Sequence, residues 1–147
     1  MKPITLAVLL VIRLAFLPAA APDRTESAQP AVLDNLARNC PAFCSSIENT
    51  CTLCWNAVDG DSTTRWSSQF SDPQWIFVDL GVPTRIERVI LRWENAYAQT
   101  YRVQTSNDTV TWTEIYSTTA GGGRVDDLAV SGAGRYIRIY GSQRATE

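Results

Sequence analysis

The sequence predicts an all-β protein, a sandwich or barrel of short antiparallel strands. Apolar and polar residues alternate with a period of two in several short runs, which recur about every ten to fifteen residues. Gly, Pro, Asn and Asp separate these runs, and no stretch of the domain sustains the 3.6-residue period of an amphipathic helix. With 45% hydrophobic residues among 147, the chain has enough apolar side chains for the core of one domain.

Six runs carry this alternation and are the predicted strands. In the last run the isoleucines face one side while the tyrosines and Arg138 face the other, as in a half-buried strand. Asn107-Asp108 lies between two runs and predicts a hairpin turn, and Gly121 to Gly123 predicts a flexible loop. The runs are Trp75 to Leu80, Arg85 to Arg92, Tyr101 to Ser106, Trp112 to Ser117, Asp126 to Val130 and Tyr136 to Tyr140.

The first 21 residues predict a secretory signal peptide, and hence an extracellular protein. Lys2 precedes an apolar run from Ile4 to Leu17, and Pro18 with small alanines follows it. The run is only fourteen residues long and contains Arg13, so it is too short and too charged for a membrane-spanning helix. Residues 22–32 are polar and rich in Pro and Ala, which is typical of a spacer, so the folded domain is expected at 33–147.

The composition excludes several function classes. The chain has no histidine, which removes Ser-His-Asp and Cys-His catalysis and histidine-ligated zinc. Lys2 is the only lysine and lies in the predicted leader, so Schiff-base and P-loop lysine chemistry are removed as well. Without Lys2 and Arg13, eleven arginines and fifteen acidic residues give a net charge of −4 with no basic run. Nucleic-acid binding and membrane insertion are therefore not expected.

Four cysteines, Cys40, Cys44, Cys51 and Cys54, fall within fifteen residues. In an exported chain this cluster favours two disulfides, with three pairings open and Cys44 with Cys54 preferred. The alternative is a zinc site, because cysteines separated by three and by two residues can supply four thiolates to a tetrahedral metal. The oxidising compartment favours the disulfides.

Four stretches resemble one family in sequence and order: Asn56 to Ser68, Asp72 to Gly81, Leu91 to Tyr97 and Gly134 to Gly141. The family is the discoidin, or coagulation-factor five/eight type C, domain, and the chain is most similar to bacterial carbohydrate-binding module family 32. The resemblance implies a jelly-roll β-sandwich of the galactose-binding type, with eight strands and the ligand held by loops at one end. Family members continue into a final strand, whereas this chain stops at Glu147. A missing strand would leave an exposed sheet edge.

A calcium site is the first candidate within this resemblance. Asp59-Gly60-Asp61, followed by Thr63-Thr64, crowds oxygen ligands suited to Ca²⁺ into a tight turn, although an ordinary Asp-Gly turn would carry the same residues. Related domains hold a structural calcium in this loop. The resemblance implies as ligands the Asn56 carbonyl, the Asp59 carboxylate, the Asp61 carbonyl and the hydroxyl and carbonyl of Thr64. The family's C-terminal Glu has no counterpart, so weakened calcium binding is expected.

The resemblance also implies a sugar site. The enzyme-associated branch uses residues that match Glu48, Arg65, Phe70 and Glu94, and Tyr97 is a further candidate in the Glu94 loop. An aromatic ring stacks on the C–H face of a sugar, while arginine and carboxylates bind its hydroxyls. Two glutamates would favour an ammonium-bearing amino sugar of the chitosan type, although galactose-type sugars remain open. Arg65 and Glu94 would instead form an ordinary ion pair if no ligand is involved.

The sequence therefore predicts a secreted, non-catalytic module that binds polysaccharide or glycan chains, a fragment of a larger glycoside hydrolase or a companion of a catalytic domain in a longer homologue. Glu48 and Glu94 are the only pair suggesting glycoside hydrolysis, and nothing else supports an acid–base pair. The alternative function is a surface-adhesion discoidin domain that binds protein or phospholipid. Trp66, Trp75, Trp93 and Trp112 are expected to pack in the core or between sheets rather than contact a ligand.

Overall fold

The computed structural model describes residues 7–13, as backbone, and residues 34–145. Apart from one short 3₁₀ helix at Cys54–Ala57, the regular elements of this part are strands. None of the helical structure in it is long and apolar enough to cross a bilayer. The strands are β1 (Ala7–Arg13), β2 (Ala42–Cys44), β3 (Trp66–Ser67), β4 (Gln74–Trp93), β5 (Ala98–Ser106), β6 (Thr113–Thr118) and β7 (Val125–Arg144).

The all-β prediction is confirmed, but the six predicted runs lie in four strands. The first two runs join in β4 and the last two in β7, each a strand of 20 residues. The register between β4 and β7 shifts between Asp79 and Thr84, so the apparent break at Gly81 to Pro83 is an irregularity inside one strand. Bulges of this kind bend a strand without ending it. The expected turn after Ser106 is present, with Asp108 accepting the N–H groups of Val110 and Thr111.

The long strands β4 and β7 belong to both layers of a sandwich. The first half of β4 pairs with β2 and with the second half of β7, which also pairs with β5. The second half of β4 pairs with β1 and with the first half of β7. Where the two strands bend, Arg135 donates two hydrogen bonds of 2.8 Å to the Asp79 carboxylate. These bonds hold the pKa of Asp79 below its usual value.

The core lies between the two layers. Ile76 and Val78, from the first half of β4, share one buried cluster with Val89 and Leu91 from its second half. In the first half of β4 the buried positions alternate with half-buried ones, as the two-residue period of a strand requires, whereas Ile90 between Val89 and Leu91 is buried as well. Of the four tryptophans expected inside, Trp66 and Trp93 are in the core. Trp75 and Trp112 are only half-buried and pack around Phe77 on the outer face of the sheet.

Strand β1 lies between β3 and β4, inside the segment predicted to be a signal peptide. Val8 is opposite both Trp66 of β3 and Trp93 of β4. The resemblance implied an open sheet edge where a final strand is missing, but the edge of β4 from Arg88 to Trp93 is paired with β1. The apolar, β-branched run that resembles a leader also suits a strand, and its backbone satisfies the hydrogen-bonding groups of β4.

A half-buried carboxylate joins β4, β5 and β7. One oxygen of Asp126 accepts hydrogen bonds of 2.7 Å from both the Trp93 indole and the Tyr101 hydroxyl. Burial, and then the hydrogen bond to Asp126, raises the pKa of Tyr101, so its hydroxyl remains a donor at neutral pH. The Tyr101 ring also packs at a tilt against the rings of Trp93 and Tyr116, with ring centroids 5.4 and 6.0 Å away.

The cysteines form one disulfide rather than two. Cys44 and Cys54 are bonded, as preferred from the sequence, with their Cα atoms 5.7 Å apart. The expected second bond is absent, because Cys40 and Cys51 are free thiols. Cys40 donates its thiol hydrogen to the Leu36 carbonyl at 3.2 Å, and Cys51 is exposed. With two of the four sulfurs in a disulfide, the four-thiolate zinc alternative is also wrong.

Tyr101→Phe is expected to lower the free energy of unfolding by about 1.5–3 kcal/mol, because the half-buried Asp126 carboxylate loses one of its two charged hydrogen bonds. Urea denaturation monitored by tryptophan fluorescence measures the change. The control Tyr136→Phe removes a hydroxyl from the half-buried outer face and should change stability by less than about 0.5 kcal/mol. Equal losses in both variants would contradict a special role for the Asp126 network.

Candidate functional site

The candidate sugar residues lie around one end of the sandwich, where β3 and β4 leave the sheet. Trp66 and Trp93 are level with each other, separated by Val8 of β1. Two interstrand spacings put these backbones about 10 Å apart. Arg65 directly precedes Trp66, and Glu94 directly follows Trp93. Both Arg65 and Glu94 are exposed. Because β3 and β4 are both antiparallel to β1, they run parallel, so Glu94 lies on the Ser67 side of this level and Arg65 on the opposite side, towards Arg92.

Glu48 is fixed beside β3 by the loop after β2. Its backbone N–H donates to the Ser67 carbonyl at 2.7 Å. The neighbouring Ser46 carbonyl accepts the Trp66 indole N–H at 2.9 Å, and the Ser46 hydroxyl accepts the Gln69 N–H at 2.9 Å. These three bonds hold the loop along the outer side of β3 and leave the Glu48 residue exposed. Glu48 and Glu94 consequently flank β3 and β1 from opposite sides.

Phe70 is 47% exposed and follows β3 at the same end. The Arg144 guanidinium lies 4.0 Å from the centroid of its ring, and Nε of Arg144 is 3.1 Å from the Asp72 carboxylate. A small cavity adjoins this cluster. It is lined by Ser68, Gln69, Ser71, Asp72, Gln74, Ala98, Gly141, Gln143 and Arg144. Phe70 is thus an exposed aromatic ring with Arg144 over it and hydrogen-bonding groups beside it.

Tyr97 belongs to the same region but is less available than expected. Its ring packs against Gly123, where a Cβ atom would come within 2.9 Å of the Tyr97 ring. Gly123 also has a φ of +69°, a left-handed conformation that favours glycine. The Tyr97 carbonyl accepts the Ala145 N–H at 3.0 Å, so the Glu94 loop is tied to the chain next to Arg144.

The ion pair considered for Arg65 and Glu94 is not formed in the described part of the chain. The ion pairs found there join other residues: Arg85 with Glu87, Arg88 with Asp127, Arg102 with Glu114, Arg135 with Asp79 and Arg144 with Asp72. Both side chains therefore project from the sheet end without neutralising each other. An exposed guanidinium and two exposed carboxylates can all reach an incoming polar ligand.

Sequence reasoning missed Gln74 and Arg144, which organise the loops of this end. Gln74 is 5% exposed, its Oε1 accepts the hydroxyls of Ser45 and Ser46, and its Nε2 donates to Ser71 at 2.8 Å. One buried amide thereby joins the Glu48 loop to the Phe70 loop. The only signal in the sequence was Gln74 itself, a polar residue directly before the apolar alternation of β4.

The residues of the predicted calcium loop lie in one compact turn. Gly60, with a φ of +81°, allows Asp59 to accept the Asp61 N–H at 2.8 Å. The Thr64 hydroxyl is 2.6 Å from the Asp59 carboxylate and 3.1 Å from the Asp61 carbonyl, so three of the implied ligand groups converge. Hydrogen bonds from Thr63 lower the pKa of Asp61. Asn56 is buried, and its amide donates to the carbonyls of Cys51 and Arg65.

This loop offers few anionic ligands. No group of three or more His, Cys, Asp or Glu side chains that could hold a metal ion occurs among the residues described. The oxygen donors fit the chemistry of a hard cation, but the two carboxylates also accept hydrogen bonds within the loop. The residues present therefore fit calcium with a reduced ligand set.

Comparison with known families identifies the family of the domain, and the match covers most of the candidate residues. A model of the F5/F8 type C family, described as a NedA-like, galactose-binding domain, matches residues 56–139. The chain belongs to this family. The matched stretch includes the predicted calcium loop, Arg65, Phe70, Glu94, all of β4 and β7 as far as Ile139.

Solved structures extend the match. A chitosan-binding module from a Paenibacillus sp. IK-5 chitosanase/glucanase, in complex with chitotriose, is 43% identical with a TM-score of 0.74, and the match covers 76% of this chain and 90% of that one. Module 1 of the same enzyme is 45% identical with a TM-score of 0.73, covering 77% and 89%. A family 32 module from Clostridium perfringens, at 18% identity and a TM-score of 0.61 with coverage of 73% and 86%, shares the fold.

One curated relative is much longer than this chain. A polysaccharide lyase 8 family protein, HylA, from Enterococcus faecalis is 39% identical over 67 residues, which are 46% of this chain. The chain spans about 5% of the length of that protein. The match is therefore to one segment of a much larger enzyme.

Gln74→Ala is expected to lower the free energy of unfolding by about 1–3 kcal/mol and to loosen the loops at this end, because three serine hydroxyls lose a buried partner. Hydrogen exchange of the Gln69 and Trp75 amides, both bonded to serines of the Glu48 loop, reports the loosening. Gln143→Ala removes an exposed amide from the same cavity and is the matched control. Unchanged exchange in Gln74→Ala would show that the loops are held by other contacts.

Proposed function

We propose that the chain is a secreted, non-catalytic carbohydrate-binding module for an amino-sugar polysaccharide of the chitosan type. The observation that carries this proposal is the pair of exposed glutamates, Glu48 and Glu94, on either side of β3 and β1 at the end that presents Phe70. Carboxylates around an aromatic ring suit a sugar that carries an ammonium group. The identity of 43% to a chitosan-binding module along 90% of its length supports the same ligand class.

Each residue would have a distinct part in binding. The exposed Phe70 ring would pack on the C–H face of one sugar ring, next to Arg144. Glu48 and Glu94 would accept hydrogen bonds from ammonium groups, and these bonds are stronger than those between neutral partners. Arg65 would donate to ring or linkage oxygens, which need hydrogen-bond donors. Gln74 holds the loops of this end in place before a ligand arrives, so less conformational entropy would be lost on binding.

The geometry argues against hydrolysis by the two glutamates. The backbone of Glu48 lies beside Ser67 of β3, while Glu94 follows β4 beyond the intervening β1. Three interstrand spacings separate the two backbones by about 14 Å. Glycoside hydrolysis places its two carboxyl groups roughly 5–10 Å apart across one bond, so both side chains would have to turn towards each other over β1 and β3. Two glutamates on opposite sides of a wide, open end are better suited to binding a sugar polymer at two positions.

The setting of the domain follows from its relatives. Chitosanase and polysaccharide lyase proteins act on extended polymers, and a binding module beside such a catalytic domain would hold it near its substrate. The partner expected here is therefore a polysaccharide, together with a catalytic domain in a longer protein. Export is supported by the disulfide between Cys44 and Cys54, whereas the apolar run within residues 1–21 fits a leader and strand β1 equally.

Calcium binding is proposed for the loop from Asn56 to Thr64. The converging oxygens of Asp59, Asp61 and Thr64 support a hard cation, which would replace hydrogen bonds inside the loop with metal–oxygen bonds. The ion would be structural, because the loop precedes β3 and thereby positions Arg65. With two carboxylates at most, its affinity should be low.

Glu48→Gln and Glu94→Gln are each expected to weaken binding of chitotriose by about tenfold or more, because each removes a charged hydrogen bond. Isothermal titration calorimetry at low salt measures the affinity. Glu87→Gln removes a carboxylate that is paired with Arg85 on β4 and should bind like the wild type. Wild-type affinity in both site variants would overturn the proposed ligand, as would tighter binding to galactose oligosaccharides or to phospholipid vesicles.

Calcium at millimolar concentration is expected to raise the melting temperature by a few degrees, and by less than roughly ten, because a weak ion adds little free energy at accessible concentrations. Differential scanning calorimetry with calcium and with a chelator gives the difference. Asp59→Asn should abolish the shift, whereas Asp108→Asn, in the turn between β5 and β6, should retain it. A shift larger than about ten degrees, or no shift at all, would contradict a weak site.

A further inference from the structure

A second groove lies on the outer face of the sheet, over β5 and β7. Arg102 is opposite Tyr140 and Gln104 is opposite Arg138 in the strand register, so these four side chains share one face. They line a groove of about 390 Å³ together with Ser142. The cavity beside Phe70 is lined by Gly141 and Gln143, which alternate with Ser142 along β7. The two binding regions are therefore on different faces of the strand.

Arg138 is a half-buried cation held in position by neutral groups. Its Nε donates to the Gln104 amide oxygen at 3.0 Å, and its guanidinium carbon lies 4.0 Å from the Trp112 ring centroid and 5.4 Å from that of Tyr140. The five ion pairs of the described residues do not include Arg138. Partial burial lowers its pKa, but an arginine remains charged at neutral pH.

Arg138 therefore has donors to offer. The hydrogen bond to Gln104 uses Nε, so the two terminal nitrogens of the guanidinium are available for an acceptor in the groove. Arginine holds carboxylates with paired, parallel hydrogen bonds from its planar fork. The contacts with Trp112 and Gln104 fix the plane of this fork before any ligand arrives, which reduces the entropy lost on binding.

Arg102 adds a second cation to the groove. Its Nε is 3.6 Å from the Glu114 carboxylate, and its side chain is 55% exposed, so this ion pair is loose. The residues that line the groove include two arginines and no acidic side chain. The neighbouring Tyr140 ring and the Ser142 hydroxyl add a flat apolar surface and a polar group. This combination of cationic, apolar and hydroxyl groups favours an anionic ligand built on a sugar ring.

We infer that this groove binds the carboxylate of a uronic-acid unit in an acidic polysaccharide. Arg138 holds the carboxylate with its fork, Arg102 turns from Glu114 to assist, and Tyr140 contacts the sugar ring. A volume of about 390 Å³ is at the lower end for small-ligand sites, which suits one sugar unit with its chain continuing into solvent. The inference does not depend on the loop-end site, which carries exposed carboxylates and favours the opposite ligand charge.

Titration of the full chain with trigalacturonate, followed by calorimetry and by NMR shifts of the Gln104 side-chain amide, tests the groove. Arg138→Gln should weaken binding at least tenfold, and Arg138→Lys should weaken it less, because the charge remains while the fork is lost. Arg102→Gln should weaken binding severalfold. Arg85→Gln, an exposed arginine paired with Glu87 outside the groove, should bind like the wild type. Thermal melting confirms that each variant is folded.

The outcomes separate this groove from the sugar site at the loop end. Chitotriose should not displace trigalacturonate, and Glu94→Gln should bind trigalacturonate as the wild type does. Displacement by chitotriose, unchanged affinity in folded Arg138→Gln and Arg102→Gln, or equal binding of neutral galactotriose would each overturn the inference. Binding of dextran sulfate but not of trigalacturonate would also overturn it, because the assigned ligand is a carboxylate. Failure of chitotriose binding alone leaves the groove unaffected.

Discussion

The antiparallel pairing of β4 with β7 is the interaction on which the rest of the structure depends. The ladder runs from Gln74 opposite Gly141 to Arg92 opposite Val125, and every other strand except β3 and β6 pairs directly with one of these two. Because each long strand passes from one layer to the other at its bend, the pair of β4 and β7 contributes to both layers. The Arg135–Asp79 contact lies at this bend and joins the two strands by a two-pronged ion pair.

Both proposed ligand sites are consequences of this arrangement. The end of β4 carries Glu94 out of one layer, while the other layer holds Arg102, Gln104, Arg138 and Tyr140 in register on its outer face. The protein therefore presents acidic groups on loops at one end and arginines on a rigid sheet face. A polymer with one kind of charge would engage only one of the two regions. Rigid strands hold such side chains more accurately than loops do.

The alternation of residues was sufficient to predict the class of fold and most strand positions. It could not show that two predicted runs form β4, because Gly81 to Pro83 has the composition of a turn, and only pairing with β7 distinguishes a bulge from a turn. Likewise, the apolar run around Val8 satisfies the patterns of a signal peptide and of a strand equally. The resemblance predicted Glu48, Arg65, Phe70 and Glu94 as sugar-binding residues, and the structure places the loops that carry Glu48, Phe70 and Glu94 around one end. Gln74 and Arg144 were missed because their partners, Ser45 and Asp72, lie 29 and 72 positions away.

The position of β1 fixes the distance between the two sides of the candidate sugar-binding end. One strand lies between Trp66 and Trp93, so the separation of the β3 side from the β4 side is set by the number of strands rather than by the loops. Any strand that occupies this place would maintain the same opening, because interstrand spacing depends on backbone hydrogen bonds and hardly on side chains. Substitutions in the loops can therefore change which side chains contact a sugar. The distance between the β3 and β4 sides of the site stays the same. In the proposed site, the sheet would therefore set the spacing of the groups that bind a polymer, and the loops would set their chemistry.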